Sequence, residues 1–175
     1  MNTIAMLVVA LVLGVIPMAY GATMTVTVNK IDESGVGAAI GTLKLEDTNV
    51  GLLITPDLSG LPSGDHGFHI HANADCGPGE QSGTKVAGLA AGGHFDPMKT
   101  GKHLGPESTE GHKGDLPVLA VDANGRATQA VTAPHLTVAA VQGHAMMVHA
   151  GGDNYSDTPA PLGGGGARIA CAVVK

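Results

Sequence analysis

Polar and apolar residues alternate along Thr23-Met24-Thr25-Val26-Thr27-Val28, the pattern of a strand with one face in a core and the other in water. Residues 39–45 and 50–55 continue in short apolar segments, with Glu46-Asp47-Thr48-Asn49 between them as a turn. Further strands are predicted at residues 67–72, 118–121, 127–131, 145–150 and 168–174. Asp122-Ala123-Asn124-Gly125 is a hairpin turn signal between the fifth and sixth of these segments. Short strands punctuated by Gly, Pro, Asn and Asp predict an all-β chain folded as an antiparallel sandwich or barrel.

Two stretches break the pattern. Residues 73–109 are rich in Gly and Pro and carry His94 and His103, and residues 151–166 end in four consecutive glycines. Loops of this length without regular structure are usually functional or disordered, and metal ligands within the first would order it. At the start, residues 1–21 hold no charged side chain, and residues 4–16 are nearly all apolar. That run is shorter than the roughly 20 residues a membrane span needs, and small residues follow at Ala19-Tyr20-Gly21-Ala22. The pattern predicts a signal peptide over residues 1–21 and one exported domain over 22–175, with an uncleaved anchor as the rival.

Composition narrows the picture. With two Phe, two Tyr and no Trp, the core must be assembled from Val, Leu, Ile, Met and Ala. A formal charge of −6 leaves no basic surface for nucleic acid, and a small anion would need local positive charge to draw it in. Two cysteines in an exported chain predict one disulfide, Cys76 to Cys171. No Gly-x-Ser-x-Gly elbow is present, and the glycine run lacks the Lys-Ser or Lys-Thr of a phosphate loop.

The chemistry lies in the histidines. His69, His71, His94, His103, His112 and His149, with Asp115, are seven metal-ligand types on a chain with nine histidines. On a strand His69 and His71 share a face, so both can reach one ion, and His149 can join from another strand. His94, His103, His112 and Asp115 come from loop sequence. Three imidazoles and a carboxylate make a closed zinc site; three or four imidazoles with an open position suit copper. His66 reads as a structural hydrogen-bonding residue, and His135 and His144 as surface or satisfied histidines.

The motifs His66-Gly67-Phe68-His69-Ile70-His71, Gly92-Gly93-His94-Phe95-Asp96-Pro97 and Gly111-His112-Lys113-Gly114-Asp115-Leu116 resemble copper/zinc superoxide dismutase. So do Val148-His149-Ala150-Gly151-Gly152-Asp153 and Gly166-Ala167-Arg168-Ile169-Ala170-Cys171, in the family's order. Residues 101–106, 153–157 and 161–166 resemble its exported bacterial branch. The resemblance implies a Greek-key β-barrel or sandwich with two long functional loops, acting on superoxide in the periplasm. It implies copper on His69, His71, His94 and His149, and zinc on His94, His103, His112 and Asp115, with His94 bridging the ions and taking up a proton during turnover. Asp153 would link His69 to His103, Cys76–Cys171 would be the family disulfide, and Arg168 would draw superoxide to the open copper position. The charged steering segment of the eukaryotic enzymes is replaced by Pro161-Leu162 and glycines, which leaves Lys85 as a steering candidate. The partners implied are superoxide, no nucleic acid, no membrane insertion once the signal is removed, and either a monomer or a homodimer. A metal carrier would use the same ligands without Arg168, and a zinc-only homologue would lack a copper ligand; none is missing.

Overall fold

The computed structural model describes residues 21–175; the apolar leader lies outside the described residues. The first three strands are β1 (Thr23–Asp32), β2 (Gly35–Thr48) and β3 (Gly51–Ser59), each longer than its apolar pattern. The extension of β2 runs through Gly-Val-Gly-Ala, which has no core face to reveal it. It is held by pairing with β1, closed by Asp32 Oδ1 accepting from the backbone N–H groups of Ser34 and Gly35 at 2.7 and 3.2 Å. Strand β3 continues past Pro56, which has no N–H to offer. Its outer edge is paired by other strands at residues 52–54 and 58–59, so Pro56 faces the gap between them.

Strands β4 (Gly64–His66) and β5 (Phe68–His71) follow, then a small exposed hairpin of β6 (Gly79–Gln81) and β7 (Thr84–Val86) inside the first long loop. Beyond the loop come β8 (Leu119–Val121), β9 (Arg126–Ala127), β10 (Val131–Ala133) and the single-turn helix α1 (Val138–Val141), capped by the Thr137 hydroxyl. The chain closes with β11 (Ala145–His149) and β12 (Arg168–Val173). The expected turn at residues 122–125 forms, with Gly125 at φ 76° and Asp122 Oδ1 accepting from Asn124 and Arg126. The strands it joins pair elsewhere, β8 with β4 and β9 with β3, and the segment expected at 127–131 is split between β9 and β10.

The main sheet is antiparallel, ordered β10-β3-β2-β1-β12-β11-β5, so the last strand returns beside the first as a Greek key requires. The sheet curls around a core of aliphatic side chains with one aromatic ring, Phe68, fully buried among Leu43, Leu45, Ile54, Ile70 and Met146. Strands β5 and β11 are buried on both faces. Phe68, Ile70, Met146 and Val148 point into the core, and the alternate residues His69, His71, Met147 and His149 point outward beneath the loops. That second face is the floor of the site.

The Cys76–Cys171 disulfide forms, pinning the first long loop to β12, and it sits with Ile31, Ala91, Ala145 and Met147 in a second buried cluster. Closing a loop of 95 residues stabilises the folded state by about 4 to 5 kcal/mol in the chain-entropy picture. Replacing both cysteines by serine is expected to lower the unfolding free energy by about 4 kcal/mol, read by urea denaturation. A midpoint matching the parent's would show that the bond contributes nothing.

Candidate metal centre

Strand β5 ends the sheet, and an unpaired edge needs covering. Two loop segments cover it. Phe95 N donates to Ile70 O, Ile70 N to Gly114 O and Gly114 N to Phe95 O, all at 2.8 Å, while Ala72 N donates to Gly93 O at 2.9 Å. These bonds set His94 opposite His71 and Asp115 opposite His69. The backbone that completes the sheet thus delivers the loop ligands to the strand ligands. Gly114 is required here, because a β-carbon would collide with the Ile70 carbonyl.

The side chains gather as two overlapping sets: His69, His71, His94 and His149, and His94, His103, His112 and Asp115. Within each set the possible ligand atoms lie within 4.8 Å of one another. His94 belongs to both. All seven residues are buried.

The hydrogen bonds fix which nitrogen of each ring is free. His69 Nε2 donates to Asp153 Oδ2 at 2.7 Å, His71 Nδ1 to Gly92 O at 2.9 Å, and His149 Nδ1 to Gly166 O at 3.1 Å. The opposite nitrogens then carry lone pairs. His71 Nε2 and His149 Nε2 face each other at 3.3 Å with both protons committed elsewhere, a contact of two acceptors that a cation would relieve. His69 Nδ1 and His94 Nε2 are buried with no partner. In the second set, Asp115 Oδ1 is approached by His103 Nδ1 at 2.9 Å, His94 Nδ1 at 3.0 Å and His112 Nδ1 at 3.4 Å. The His103 and His112 nitrogens are not aligned to donate to that oxygen and count as unpartnered, so the donors aim at a common point and not at one another. Asp115 Oδ2 accepts from the Leu104 and Gly105 backbone, so Oδ1 is the oxygen that the three rings face. Unpartnered buried nitrogens converging in pairs and triplets are what two metal positions require.

Asp153 ties the two sets together. Its oxygens accept from His69 Nε2 and His103 Nε2 at 2.7 and 2.8 Å. Gly163, at φ 70°, makes room, since a β-carbon there would overlap the Asp153 carboxylate and crowd His103. Two residues not singled out from the sequence support the arrangement: Asp157 accepts from the His103 backbone at 2.9 Å, and the Tyr155 hydroxyl accepts from Val118 N at 3.0 Å. Asp157 and Tyr155 follow Asp153 within one short loop, and that polar cluster was the available signal.

Arg168 is half-buried and donates to Gly88 O at 2.5 Å and to Gly92 O at 2.7 Å. Gly92 O also receives the His71 proton, so the guanidinium is positioned through the same carbonyl that orients a ligand. Arg168 and the exposed Lys85 both line an open depression of about 850 Å³. His66 is buried with its ring nitrogens against the carbonyls of His149 and Pro62, at 2.7 and 2.9 Å. His144 is half-buried, bonded to Ala72 O and set against the Phe95 ring, and His135 is exposed beside Glu107 O. Neither His144 nor His135 joins the cluster.

Burial, reinforced by the neighbouring Arg168 and histidines, pushes His71 down to about 2 and His149 to about 3; burial also takes His94 to about 4 against the pull of Asp115. These rings are neutral at physiological pH, as metal ligands must be. Burial opposes charge on His103 as well, but Asp115 and Asp153 outweigh it and raise that ring to about 9. The same imidazoles hold both carboxyls below the usual range despite burial.

A family model described as copper/zinc superoxide dismutase matches residues 39–174. A copper/zinc superoxide dismutase of Salmonella typhimurium is 53% identical over 158 residues, which is 90% of this chain and 91% of that one. The solved Cu/Zn superoxide dismutase from Brucella abortus superposes with a TM-score of 0.86 at 47% identity, over 88% of this chain and all of that chain. The solution structure of the monomeric copper, zinc superoxide dismutase from Salmonella enterica gives a TM-score of 0.79 at 54% identity, with the same coverage.

Two outcomes follow from the geometry. Asp153→Asn keeps one acceptor oxygen for two imidazole donors, and zinc affinity measured by competition with a chelator is expected to fall about 10- to 100-fold; an unchanged affinity would remove Asp153 from the support of the site. In the metal-free protein, His71, His94 and His149 stay neutral when folded but take up protons near pH 6.5 when unfolded. Stability is therefore expected to fall as pH drops from about 6.5 toward 4, by up to about 1.4 kcal/mol per pH unit for each ring. His103, raised to about 9, is charged in both states over that window, and its contribution is lost only as pH rises from 6.5 through 9. Urea midpoints of metal-free protein at pH 6.5 and 4.5 check this, and equal midpoints would contradict it.

Proposed function

The chain belongs to the copper/zinc superoxide dismutase family, and from that premise we propose that His69, His71, His94 and His149 hold its copper and that His94, His103, His112 and Asp115 hold its zinc. The enzyme is an oxidoreductase that converts two superoxide anions and two protons into oxygen and hydrogen peroxide. The observation that carries the ligand assignment is the set of buried nitrogens without partners, His69 Nδ1, His94 Nε2, His103 Nδ1 and His112 Nδ1, each facing its own set. Imidazoles alone suit a metal that changes oxidation state, and three imidazoles with a carboxylate suit zinc.

When bound by these residues, copper would supply the electron chemistry by alternating between two oxidation states, and zinc, which keeps one state, would serve structure alone. The chain's own residues do the remaining work. Arg168 carries a permanent positive charge at the mouth of a chain whose formal charge is −6, so the attraction that superoxide meets is local. Its guanidinium is held by the Gly88 and Gly92 carbonyls, which fixes where the anion docks. His94 has Nδ1 toward the zinc set and Nε2 toward the copper set, so Nε2 is the atom that takes a proton and returns it to the reduced product. Asp153 and the Gly92 and Gly166 carbonyls keep the other rings from turning while this happens.

We place the dismutase domain at residues 22–175, exported to the periplasm behind a signal peptide at 1–21. The uncharged apolar leader and the disulfide support this, because such bonds persist in oxidising compartments. All proposed ligands come from one chain, so the centre is complete in a monomer or in each half of a homodimer.

Superoxide decay by protein reconstituted with copper and zinc tests the assignment beside two variants. His149→Ala is expected to lose copper and nearly all activity. Arg168→Ile is expected to keep both metals and slow by roughly tenfold or more, with a weaker dependence on salt. Full activity in His149→Ala would overturn the copper set, and an unaltered rate in Arg168→Ile would remove its role in attraction.

A further inference from the structure

Four of the six ligand histidines are anchored through one ring nitrogen by a group outside the two ligand sets. His69 and His103 are held by Asp153, His71 by Gly92 O, His149 by Gly166 O, and His94 lies between the two ligand sets. His112 is different. Its Nδ1 faces Asp115 at 3.4 Å, and among the described residues its Nε2 has no protein acceptor. It is also the ligand in the zinc set that reaches solvent, with a side chain 10% exposed against 1% for His94 and 0% for His103 and Asp115.

The ring borders a cavity of about 300 Å³ that Arg168 does not line. His112 and Asp115 form part of its wall, and Met98, Pro106, Thr109 and the exposed His135 are among the other residues that line it. Met98 is 78% exposed, an unusual position for an apolar side chain without a partner. The depression beside Arg168 and Thr84 is lined by no histidine.

We propose that zinc enters and leaves through this cavity, with His112 as the ligand that turns aside to admit it. The inference rests on the zinc set proposed above. A ring lacking a hydrogen bond on its far nitrogen rotates at lower cost than one anchored there. Three zinc ligands, His94, His103 and Asp115, then stay in place while the fourth moves, and the copper set is undisturbed.

The test measures zinc release from copper- and zinc-loaded protein with a chelator whose zinc complex absorbs visible light. Copper release is followed separately with a copper-selective chelator. Thr109→Trp fills the cavity from an exposed position, and Thr84→Trp places the same bulk at the Arg168 depression. Thr109→Trp is expected to slow zinc release about tenfold, the lower end of what anchoring a ligand ring is worth. It should leave copper release at the parental rate, and Thr84→Trp should leave zinc release unchanged. Parental zinc release in Thr109→Trp, or equal slowing in both variants, would overturn the route. A parent that retains no zinc by metal analysis would overturn the zinc set itself, and is told apart before any release is timed.

Discussion

Lone pairs buried without partners are the constraint on which this molecule depends. His69 Nδ1, His94 Nε2, His103 Nδ1 and His112 Nδ1 have no acceptor or donor, and His71 Nε2 meets only His149 Nε2. Each such group costs about 1 to 3 kcal/mol when left unmet, so a metal-free centre of this kind is strained. The barrel is built to bear that strain. β5 and β11 supply rigid backbone, the loop backbone completes the edge of β5, and the disulfide holds the same loop to β12. Ions remove the strain by giving each lone pair what it faces.

The two positions are joined in more than one way. His94 offers one nitrogen to each, and Asp153 holds a ring from each. A shift at one site is therefore felt at the other through short, buried contacts. The sites differ in their surroundings. Arg168 stands beside the all-histidine set, on an open depression; the set of His94, His103, His112 and Asp115 carries the one carboxylate, and His112 is its most exposed side chain.

Much of this was legible in the sequence, and the reasons are specific. Alternation marks β1 because its alternate residues, Val26 and Val28, enter the core, and the residue types at 69, 71, 94, 103, 112, 115 and 149 point to metal chemistry on their own. Strand ends were missed where pattern carries no signal, in the glycine-rich start of β2 and across Pro56. The β6–β7 hairpin is short, polar and exposed, and α1 is a single turn, so neither has a periodicity to read. The carbonyls of Gly88, Gly92 and Gly166 that orient Arg168, His71 and His149 were invisible for a deeper reason. A backbone oxygen is the same on every residue, and only the fold decides where it points.

The central claim is that one ring, His94, serves both ions at once. Its most direct test is to load copper into both positions and record the electron paramagnetic resonance spectrum. Two copper(II) ions sharing an imidazolate couple their spins, so the doubly loaded protein should show far less signal than two isolated coppers per chain, and His94→Ala should restore it. A spectrum that is the plain sum of two independent copper(II) signals in the parent would contradict the bridge.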